Sequence, residues 1–558
     1  MRRTKIVATL GPATESPAMI TRLIEAGADV IRLNQSHGDR AWHEHAFAAV
    51  RRTAKELGRP VAILVDLQGP KIRIGKVAGG KIELRKGARV DLAAGDGVGD
   101  EHTLYTPLPQ LVADVRPGDR VLLDDGNVVL SVVAKVRGRA RCRVTVGGPV
   151  SDRKGMNLPG VNLNIPSVTE KDLEDLRWAA GAGADYIGVS FVRRPEDMTL
   201  VKRALHGLGS SIKVIAKIEK PEALESIDRI ARVSDGLMVA RGDLGVEMAL
   251  EDVPVAQGRI ISQAHRHDIP VIVATQMLQS MTENPRPTRA EVSDVAGAIF
   301  GGTDAVMLSG ETATGRYPVE SVRQMAAIAE HAERFLETTG GLQPVLSASA
   351  VYSIADAVCH GANSAARDLS AKAVFIATTS GRTALLFSKY RFPGVLVGAS
   401  DDPTAVRRMA LYWGVNPVLV RKCRNHHRLL DAIVRAAVAG GLVRPGDTVV
   451  LVAGSPLGKT GATNVLLVHH IPPARESRGA AVIRGRTPHG TIAVDRERCV
   501  KCGTCVGECP VFIYELREGA IHMNRGALTN CLGDWRCIRF CPVRAISVVN
   551  ARGKEGGK

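Results

Sequence analysis

Charged or hydroxyl residues end each of four short apolar runs, VIAKIE (214–219), GLMVARGD (236–243), VIVATQM (271–277) and AVMLSGE (305–311). Helix-forming stretches lie between these runs, and the alternation of strand and helix predicts a parallel α/β sheet. Side chains two apart on a strand share a face, so Lys217 and Glu219 are predicted to point together, as are Arg241 and Asp243. Buried parallel strands are apolar throughout, and polar pairs confined to their carboxyl ends are typical of active sites in α/β barrels.

Four more runs of the same kind lie in the preceding half of the chain, KIVATLG (5–11), VIRLNQSH (30–37), VAILVDLQG (61–69) and YIGVSF (186–191). These also end in polar residues, and Arg32, Asn34 and Ser36 are spaced to share one face. Eight strands that alternate with helices predict a TIM (β/α)8 barrel. Residues 70–185 are far too long for a single connection, so an inserted domain is predicted there.

The inserted segment alternates apolar and polar residues in KIELRKGARVDL (81–92) and RARCRVTV (139–146), which predicts an all-β domain. The barrel pattern then resumes at a helix for which Thr169 and Asp172 have the spacing of a capping box. A Gly- and Ser-rich stretch follows the barrel, and the apolar runs after it predict a second, smaller α/β domain.

The chain has 558 residues and a formal net charge of +17. No apolar run approaches the roughly 20 residues that a membrane-spanning helix needs. The basic N-terminus leads directly into the first strand without a signal-peptide core, so we expect a cytoplasmic protein. The charge favours anionic partners, but we find no nucleic-acid-binding module. Residues 471–558 carry 15 Lys and Arg against 8 Asp and Glu, which favours an acidic partner for this segment.

Seven of the ten cysteines lie between residues 499 and 541 in two similar halves. The first half follows the Cys-x2-Cys-x2-Cys-x3-Cys-Pro pattern of bacterial ferredoxins, and the second repeats it with an aspartate in place of one cysteine. The crossed ferredoxin pattern predicts one [4Fe–4S] cluster on Cys499, Cys502, Cys505 and Cys541, and a second on Cys509, Cys531, Cys537 and Asp534. The second cluster could instead be [3Fe–4S] or absent, and zinc is the alternative metal.

Seven motifs within residues 1–470 resemble those of pyruvate kinase in order and spacing: TKIVATLGPAT, IRLNQSHG, VDLQGPKIR, AKIEKPEAL, MVARGDLG, VATQMLQSM and MLSGETATGRYP. The resemblance implies transfer of the phosphoryl group of phosphoenolpyruvate to ADP, giving pyruvate and ATP in glycolysis. It also implies a homotetramer, and it implies that the inserted domain is a mobile lid over the active site. The predicted domains are a barrel (1–71 and 158–340), a β-barrel lid (72–157), an α/β effector-type domain (345–470), a linker (471–490) and a ferredoxin-type domain (491–550).

Glu219 and Asp243 are predicted to lie at the ends of adjacent strands. Carboxylate oxygens are the ligands that Mg²⁺ and Mn²⁺ prefer in proteins, so the pair predicts a divalent metal site. The alternative is a buried pair of carboxylates neutralised by Lys217 or Arg241.

The resemblance implies a role for each polar residue around this metal. Lys217 would hold the phosphoryl group and stabilise the developing enolate, and Arg32 and Arg73 would add positive charge. Thr275 and Ser309 would hold the water that protonates the enol carbon. The main chain of Ala240, Arg241 and Gly242 leads into a helix whose first amides would bind the substrate carboxylate.

The sequence departs from the potassium-dependent members of this family at one informative position. Those enzymes carry a glutamate after the Gly-Pro of the third strand, where this chain has Lys71. An ammonium group can replace a bound monovalent cation, so we expect that potassium is not required. The residues that match the monovalent cation ligands of the family are Asn34, Ser36, Asp66 and Leu67. The alternative is that Asn34, Ser36 and Asp66 hold the ammonium group of Lys71.

The third domain contains a loop of small and hydroxyl residues directly after an apolar strand. Such a loop forms a phosphate-binding nest, and the resemblance implies a phosphorylated allosteric effector there. Its residues are Thr378, Thr379, Ser380, Gly381, Arg382 and Thr383. The alternative for this loop is an ordinary strand-to-helix turn. A second Gly-rich loop, PLGKTGAT (456–463), is predicted to border the same pocket.

Two other functions compete with a pyruvate kinase. One is an electron-transfer or interaction protein whose kinase part is inherited and weak, and the other is an enolate-forming lyase on the same barrel. The lid insert, Lys217 and Arg32 favour the kinase. The role of the cysteine-rich domain stays open among a redox sensor, a docking surface and a structural clip.

Overall fold

The structure is a computed structural model that describes residues 2–70, 72–124, 126–161, 165–345, 353–423, 425–459, 461–472, 482–517, 520–534 and 536–549. The chain divides into two compact units, Met1–Ile471 and Pro472–Lys558. Among the helices of the described ranges, none has both the length and the apolar character needed to cross a bilayer.

The barrel begins with alternating strands and helices, β1 (Lys5–Thr9), α1 (Pro17–Ala26), β2 (Val30–Asn34), α2 (Arg40–Glu56) and β3 (Ala62–Asp66). The side chains of Ser16 and Asp39 cap the two helices by accepting hydrogen bonds from backbone amides in the first turn. Every residue of β1 and β3 is buried, as expected for parallel strands covered by helices.

The insert contains β4 (Lys81–Leu84), β5 (Arg89–Ala94), β6 (Thr103–Thr106), α3 (Pro109–Asp114), β7 (Arg120–Leu123), β8 (Val128–Val136), β9 (Arg139–Val146), β10 (Gly148–Ser151) and β11 (Met156–Asn157). Six strands form one sheet in the order β11-β7-β8-β9-β5-β6, and β10 pairs with β4. The insert is therefore mainly a β domain, and the apolar faces of its strands form a separate core.

The barrel resumes with α4 (Glu170–Ala182), β12 (Tyr186–Val189), α5 (Pro195–Gly207), β13 (Lys213–Ile218), α6 (Pro221–Glu225), α7 (Ile227–Val233), β14 (Gly236–Ala240), α8 (Arg241–Glu247), α9 (Val253–Arg266), β15 (Val271–Ala274), α10 (Arg289–Phe300), β16 (Ala305–Leu308), α11 (Gly310–Ala313) and α12 (Pro318–Thr338). Eight parallel strands close in the order β1-β16-β15-β14-β13-β12-β3-β2, which confirms the predicted TIM barrel. The predicted capping box of Thr169 and Asp172 is present at α4.

Two strand ends differ from the prediction. β14 ends at Ala240, and Arg241 begins α8, so Arg241 and Asp243 lie on a helix and do not share a strand face. β2 ends at Asn34, and Ser36 lies in the turn that follows. In both places the period-2 pattern stops where the chain turns away from the barrel mouth.

The next domain contains α13 (Ile354–Asp368), β17 (Ala373–Ala377), α14 (Arg382–Ser388), β18 (Val395–Ser400), α15 (Pro403–Arg408), β19 (Val415–Leu419), α16 (His426–Ala439), β20 (Thr448–Gly454) and β21 (Thr463–His470). Its sheet has the order β19-β18-β17-β20-β21, and only the edge strand β21 runs antiparallel to its neighbour. This is the smaller α/β domain that the sequence predicts.

A buried ion-pair cluster joins this domain to the amino-terminal end of the barrel strands. Asp304, just before β16, accepts hydrogen bonds from Lys389 at 2.8 Å and Arg391 at 3.0 Å. All three side chains are buried. Because breaking a buried pair leaves an uncompensated charge, this cluster fixes the domain firmly against the barrel.

The second unit contains β22 (Val482–Thr487), β23 (Gly490–Asp495), α17 (Thr504–Glu508), β24 (Tyr514–Arg517), β25 (Ala520–Met523), α18 (Arg536–Arg539) and β26 (Ile546–Val549). β22, β23 and β26 form a sheet, and β24 pairs with β25. The predicted linker over 471–490 is wrong for its second half, because β22 pairs along its whole length with β23. The arginines of VIRGRT obscure a strand that contributes Ile483 to the small core.

Candidate active site

Strands β3, β12 and β13 bring a lysine and its acceptors together at the carboxyl end of the barrel. Lys217 Nζ lies 2.8 Å from Glu219 Oε1 and 3.3 Å from Asp66 Oδ1, and it donates a hydrogen bond of 2.6 Å to Ser190 Oγ. The predicted common face of Lys217 and Glu219 is therefore present. Lys217 and its acceptors are buried, so their electrostatic interactions are stronger than they would be in water.

Arg32 joins the same group from β2. Its Nε donates to Asp66 Oδ2 at 2.7 Å, its Nη2 lies 2.6 Å from the same oxygen, and its Nη1 donates to Thr9 Oγ1 at 3.1 Å. Gly188 on the neighbouring strand leaves room for this carboxylate, because an added Cβ there would lie only 2.8 Å from Asp66 Oδ1. The two cations are thus held about one carboxylate.

The charges set the protonation states of this group. Burial alone would lower the pKa of Lys217, but the carboxylates of Asp66 and Glu219 raise it above its usual value, so the side chain stays an ammonium. Burial raises the pKa of Glu219 to about 7, and the nearby Asp243 carboxylate adds to this while Lys217 opposes it. Glu219 Oε2 also accepts a hydrogen bond from Phe191 N at 2.7 Å. Two mutually repelling carboxylates are a donor set that a hard divalent cation fits.

The ends of β15 and β16 supply the hydroxyl groups that the resemblance implies. Thr275 Oγ1 accepts from Gly242 N at 2.7 Å and donates to Ala274 O at 2.6 Å. The backbone of Thr275 has φ of 66°, which is rare for a β-branched residue and is typical of functional sites. The Ser309 hydroxyl is buried without a hydrogen-bond partner among the described residues. Buried hydroxyl groups in proteins usually have a hydrogen-bond partner, so the lack of one at the barrel mouth marks Ser309 as a candidate site residue.

Arg241 contacts Asp294 and the turn that follows β15. Its guanidinium donates to Asp294 at 2.6 Å and to Thr275 O at 3.0 Å, so it supports the strained turn. The helix α8 begins at Arg241, two residues earlier than the sequence predicts. The amide of Gly242 donates to Thr275 and is therefore already engaged. This leaves fewer main-chain donors for a substrate carboxylate than the sequence suggests.

Arg73 lies on the lid side of the site. Its Nη1 donates to Arg153 O at 3.2 Å, and no contact within the described part of the chain connects it with Lys217 or Arg32. Lys71, the residue expected to replace potassium, lies outside the described residues.

Three of the oxygens predicted for a monovalent cation accept hydrogen bonds from the chain itself, whereas Asp66 Oδ1 accepts none among the described residues. Asn34 Oδ1 accepts from Ser36 N at 3.2 Å, and Leu67 O accepts from the Ser190 hydroxyl at 2.7 Å. Asp66 Oδ2 is held by the arginine described above. These contacts favour a site in which hydrogen-bond donors of the chain, and not a bound monovalent cation, hold these oxygens.

Two residues of the site are missing from the predicted set. Ser190 lies between Leu67 O and Lys217, and Glu311 accepts from the amides of Leu278 at 3.0 Å and Ser309 at 2.7 Å. Both end an apolar strand run, so the polar-end rule that identified the other residues would have identified these two as well.

The predicted effector loop lines a cavity of about 380 Å³ in the third domain. Its lining includes Thr378, Thr379, Ser380, Arg382, Thr383, Arg421, Lys422 and Lys459. Gly381 has φ of 84° at the start of α14, and its amide donates to the Thr378 hydroxyl. Both Gly-rich loops border this cavity, whose basic side chains suit an anion. The basic residues of VRKC (420–423) are not in the predicted set, whereas Lys459 belongs to the second Gly-rich loop that is predicted to border the pocket.

The seven clustered cysteines fall into the two groups that the crossed pattern predicts. One small cavity is lined by Cys499, Cys502, Cys505 and Cys541, and another by Cys509, Cys531, Asp534 and Cys537. Matching backbone amides, those of Ile513 and Ala545, donate to the sulfurs of Cys509 and Cys541. Burial raises the pKa of Cys505 to about 11, so a bound cation is needed to hold it as a thiolate at neutral pH.

The second group differs from the first in its oxygen donor. Asp534 lies 3.4 Å from the guanidinium of Arg536. In the described part of the chain no three His, Cys, Asp or Glu side chains already have metal-binding geometry. The support for iron therefore comes from the soft donor set, the spacing and the family comparison.

Comparison with known proteins gives three matching family models. The model described as pyruvate kinase, barrel domain, matches residues 1–322, and that described as pyruvate kinase, alpha/beta domain, matches residues 356–469. A model described as 4Fe-4S binding domain matches residues 491–521. These models agree with the barrel, the smaller α/β domain and the cysteine-rich unit.

Relatives and solved structures give the same answer. A pyruvate kinase of Geobacillus stearothermophilus is 44% identical over 473 residues, covering 84% of this chain and 80% of the relative. Pyruvate kinase 2 of Synechocystis is 43% identical, covering 87% of this chain and 82% of the relative. The crystal structure of a pyruvate kinase from Cryptosporidium parvum has a TM-score of 0.80 at 32% identity, covering 84% of this chain and 96% of that one. The chain therefore belongs to the pyruvate kinase family and carries a 4Fe–4S binding domain at its end.

Proposed function

We propose that Lys217 and Arg32 bind the phosphoryl group as it passes from phosphoenolpyruvate to ADP, and that Glu219 and Asp243 hold Mg²⁺ or Mn²⁺ beside it. The observation that carries this proposal is the buried group of Lys217, Arg32 and Asp66 at the barrel mouth. Phosphoryl transfer depends almost entirely on positioning and on stabilising charge, and a fixed pair of cations provides both.

The divalent cation, when bound, neutralises charge on the phosphoryl oxygens. Residues of the chain orient the metal ligands and exclude water. Phe191 N fixes one oxygen of Glu219, and Lys217 lies against the other. Because the lid lies between β3 and β12 in sequence, we propose that it excludes water from this site when it closes, and that Arg73 then adds charge to the phosphoryl group.

The enolpyruvate product is protonated at its methylene carbon. We assign this step to the hydroxyl groups of Thr275 and Ser309, which lie on neighbouring strand ends and would hold the proton-relay water. The unpartnered Ser309 hydroxyl supports this role. Glu311 keeps Ser309 in place through its backbone amide.

Two substitutions test the assignments in the barrel. Lys217→Met is expected to lower kcat by more than tenfold with the fold intact, because it removes a charge used mainly in the transition state. Glu219→Gln is expected to shift the Mg²⁺ titration of activity to higher concentrations. Lys202→Met, on the surface helix α5, is the matched control and should leave both unchanged. A Lys217→Met enzyme with more than a tenth of the original kcat, or an unshifted titration for Glu219→Gln, contradicts the corresponding role.

The family and the basic cavity together support a regulated glycolytic enzyme of the cytoplasm. We propose that a phosphorylated effector binds the cavity that Thr378 and Lys459 line. We also propose a homotetramer. The edge strand β21 exposes Leu466 and Val468, which are 38% and 45% accessible, and an open edge with apolar side chains is suited to a second copy.

The iron–sulfur domain has a different role from the barrel, because phosphoryl transfer needs no electrons. We propose that it holds one [4Fe–4S] cluster on its four-cysteine site and a second, more labile cluster on the site with Asp534. Val500, Leu532 and Phe540 each adjoin a cluster ligand and are 55%, 62% and 48% exposed, which favours contact with a partner protein. The excess of arginines in this domain favours an acidic one.

Removal of residues after 472 separates the two roles of this domain. If it regulates the kinase, then truncation or oxidation should change substrate affinity or effector response. If kinetic constants are equal in both redox states, electron transfer or docking to a separate acidic protein is the better role.

A further inference from the structure

Lys217 has three ammonium hydrogens and three neighbouring acceptors. The shortest contact, 2.6 Å, is to the hydroxyl of Ser190, and those to Glu219 and Asp66 are 2.8 and 3.3 Å. Two of the acceptors are carboxylates, which partly cancel the charge that the reaction uses. The serine hydroxyl is the one neutral acceptor among them.

The orientation of the Ser190 hydroxyl is fixed. It donates its single hydrogen to Leu67 O at 2.7 Å, so a lone pair is left to face Lys217 Nζ. Ser190 is 3% exposed, and water therefore cannot easily take the place of either contact. The Ser190 hydroxyl thus connects the backbone at the end of β3 with the ammonium group and fixes the distance between them.

The backbone around Ser190 is shaped for this arrangement. Phe191 has φ of 54°, and its amide points to Glu219 Oε2. Gly69 approaches this corner so closely that an added Cβ would lie 2.9 Å from the Phe191 ring and 3.1 Å from Ser190 Cβ. One two-residue corner therefore orients both Lys217 and Glu219.

We propose that Ser190 is a positioning residue for phosphoryl transfer, and that it holds the Lys217 ammonium toward the phosphoryl group without reducing its charge. This inference rests on the proposed role of Lys217. Glu219 would also be a ligand of a divalent cation, which would weaken its contact with Lys217, whereas the serine contact would not depend on the metal. Asp66 Oδ1 lies 3.3 Å from Lys217 Nζ but accepts no hydrogen bond among the described residues, so the ammonium group keeps a hydrogen for the substrate.

The test is steady-state kinetics of pyruvate formation from phosphoenolpyruvate and ADP with the full-length enzyme. Ser190→Ala is expected to lower kcat by about tenfold to a hundredfold with KM changed less than threefold, because a misplaced group acts on the transition state. Ser190→Thr keeps the hydroxyl and is expected to recover at least half of the lost activity on a logarithmic scale. The matched control is Ser234→Ala, because Ser234 is another buried serine whose hydroxyl donates to a carbonyl and which has no contact with Lys217. It is expected to leave kcat unchanged.

A double-mutant cycle separates positioning from general damage. In a Lys217→Met background, Ser190→Ala is expected to lower the residual kcat/KM by less than threefold, because the group that it positions is gone. A loss of threefold or more there overturns the proposal, as does a Ser190→Ala enzyme that loses less than tenfold in kcat. A fully active Lys217→Met enzyme would instead contradict the proposed function itself, so the two failures are distinguishable.

Discussion

Gly188, in β12, is a position where a single methyl group should disturb the active site. An added Cβ would lie 2.8 Å from Asp66 Oδ1, whereas ordinary contacts begin at 3.4 Å. Asp66 is short and is held by Arg32 at 2.6 and 2.7 Å, so its carboxylate cannot rotate away without pulling the guanidinium with it. Gly188→Ala should therefore displace the carboxylate by about 0.6 Å. Since a misplacement of about 1 Å costs about a hundredfold in rate, we expect kcat to fall by about tenfold.

The assay for Gly188→Ala is pyruvate formation at saturating and limiting phosphoenolpyruvate, together with the half-life of activity on heating. Overpacking of this kind also destabilises a core by about 1–3 kcal/mol, so faster thermal inactivation is expected. Gly181→Ala is the matched control, because a Cβ at that helical position meets no atom within 4 Å. It should leave kcat unchanged and should stabilise the helix slightly. A Gly188→Ala enzyme that keeps more than half of the original kcat refutes the steric argument.

Three further predictions concern other parts of the chain. Although burial opposes it, Lys389 and Arg391 lower the pKa of Asp304 to about 2 from an ordinary 3.8. The ion pairs therefore stabilise the fold above pH 3.8 and are lost as the pH falls through 2, so the destabilisation by Asp304→Asn, measured by urea unfolding, should shrink between pH 7 and pH 3. Full activity is expected in potassium-free buffer, and Lys71→Glu should create a potassium requirement; strong potassium activation of the original enzyme would contradict this. Anaerobically purified protein should contain about eight irons per chain, or about four if only the all-cysteine site fills, and Asp534→Cys should slow iron loss on exposure to air; an unchanged loss rate would argue against Asp534 as a ligand.

The barrel could be predicted because each of its strands can be recognised from the residues of that strand alone. Eight apolar runs of the length of a strand, each with a polar end, specify both the strands and the edge where function lies. The period-2 spacing alone predicts that Lys217 and Glu219 lie on the same face of their strand. The spacing failed for Arg241 and Asp243, because nothing local to GLMVARGD shows that the chain leaves the strand after Ala240.

Contacts between distant segments are what the sequence does not reveal. Ser190 is a polar strand end like the others, but its partner Leu67 is 123 residues away, and the function proposed for Ser190 depends on that partner. The strand β22 was missed for a related reason. Its exposed arginines suggest a linker, and only pairing with β23 and packing of Ile483 against the small core make it a strand. The residue pattern of one segment shows which secondary structure it prefers, whereas its contacts with other segments decide which structure it adopts.

The charges at the barrel mouth explain why metal and substrate should depend on one another. Lys217 and Arg32 contribute two positive charges, and Asp66, Glu219 and Asp243 carry up to three negative ones. The ionised group alone is therefore net negative and would repel an anionic substrate. A bound divalent cation would make the group net positive. Burial and the nearby Asp243 raise the pKa of Glu219 to about 7, so the three carboxylates resist full ionisation when no cation balances their charge. If Lys217 and Arg32 bind the phosphoryl group as proposed, phosphoenolpyruvate affinity should accordingly be low in metal-free buffer, because the carboxylates then compete with the substrate for both cationic side chains.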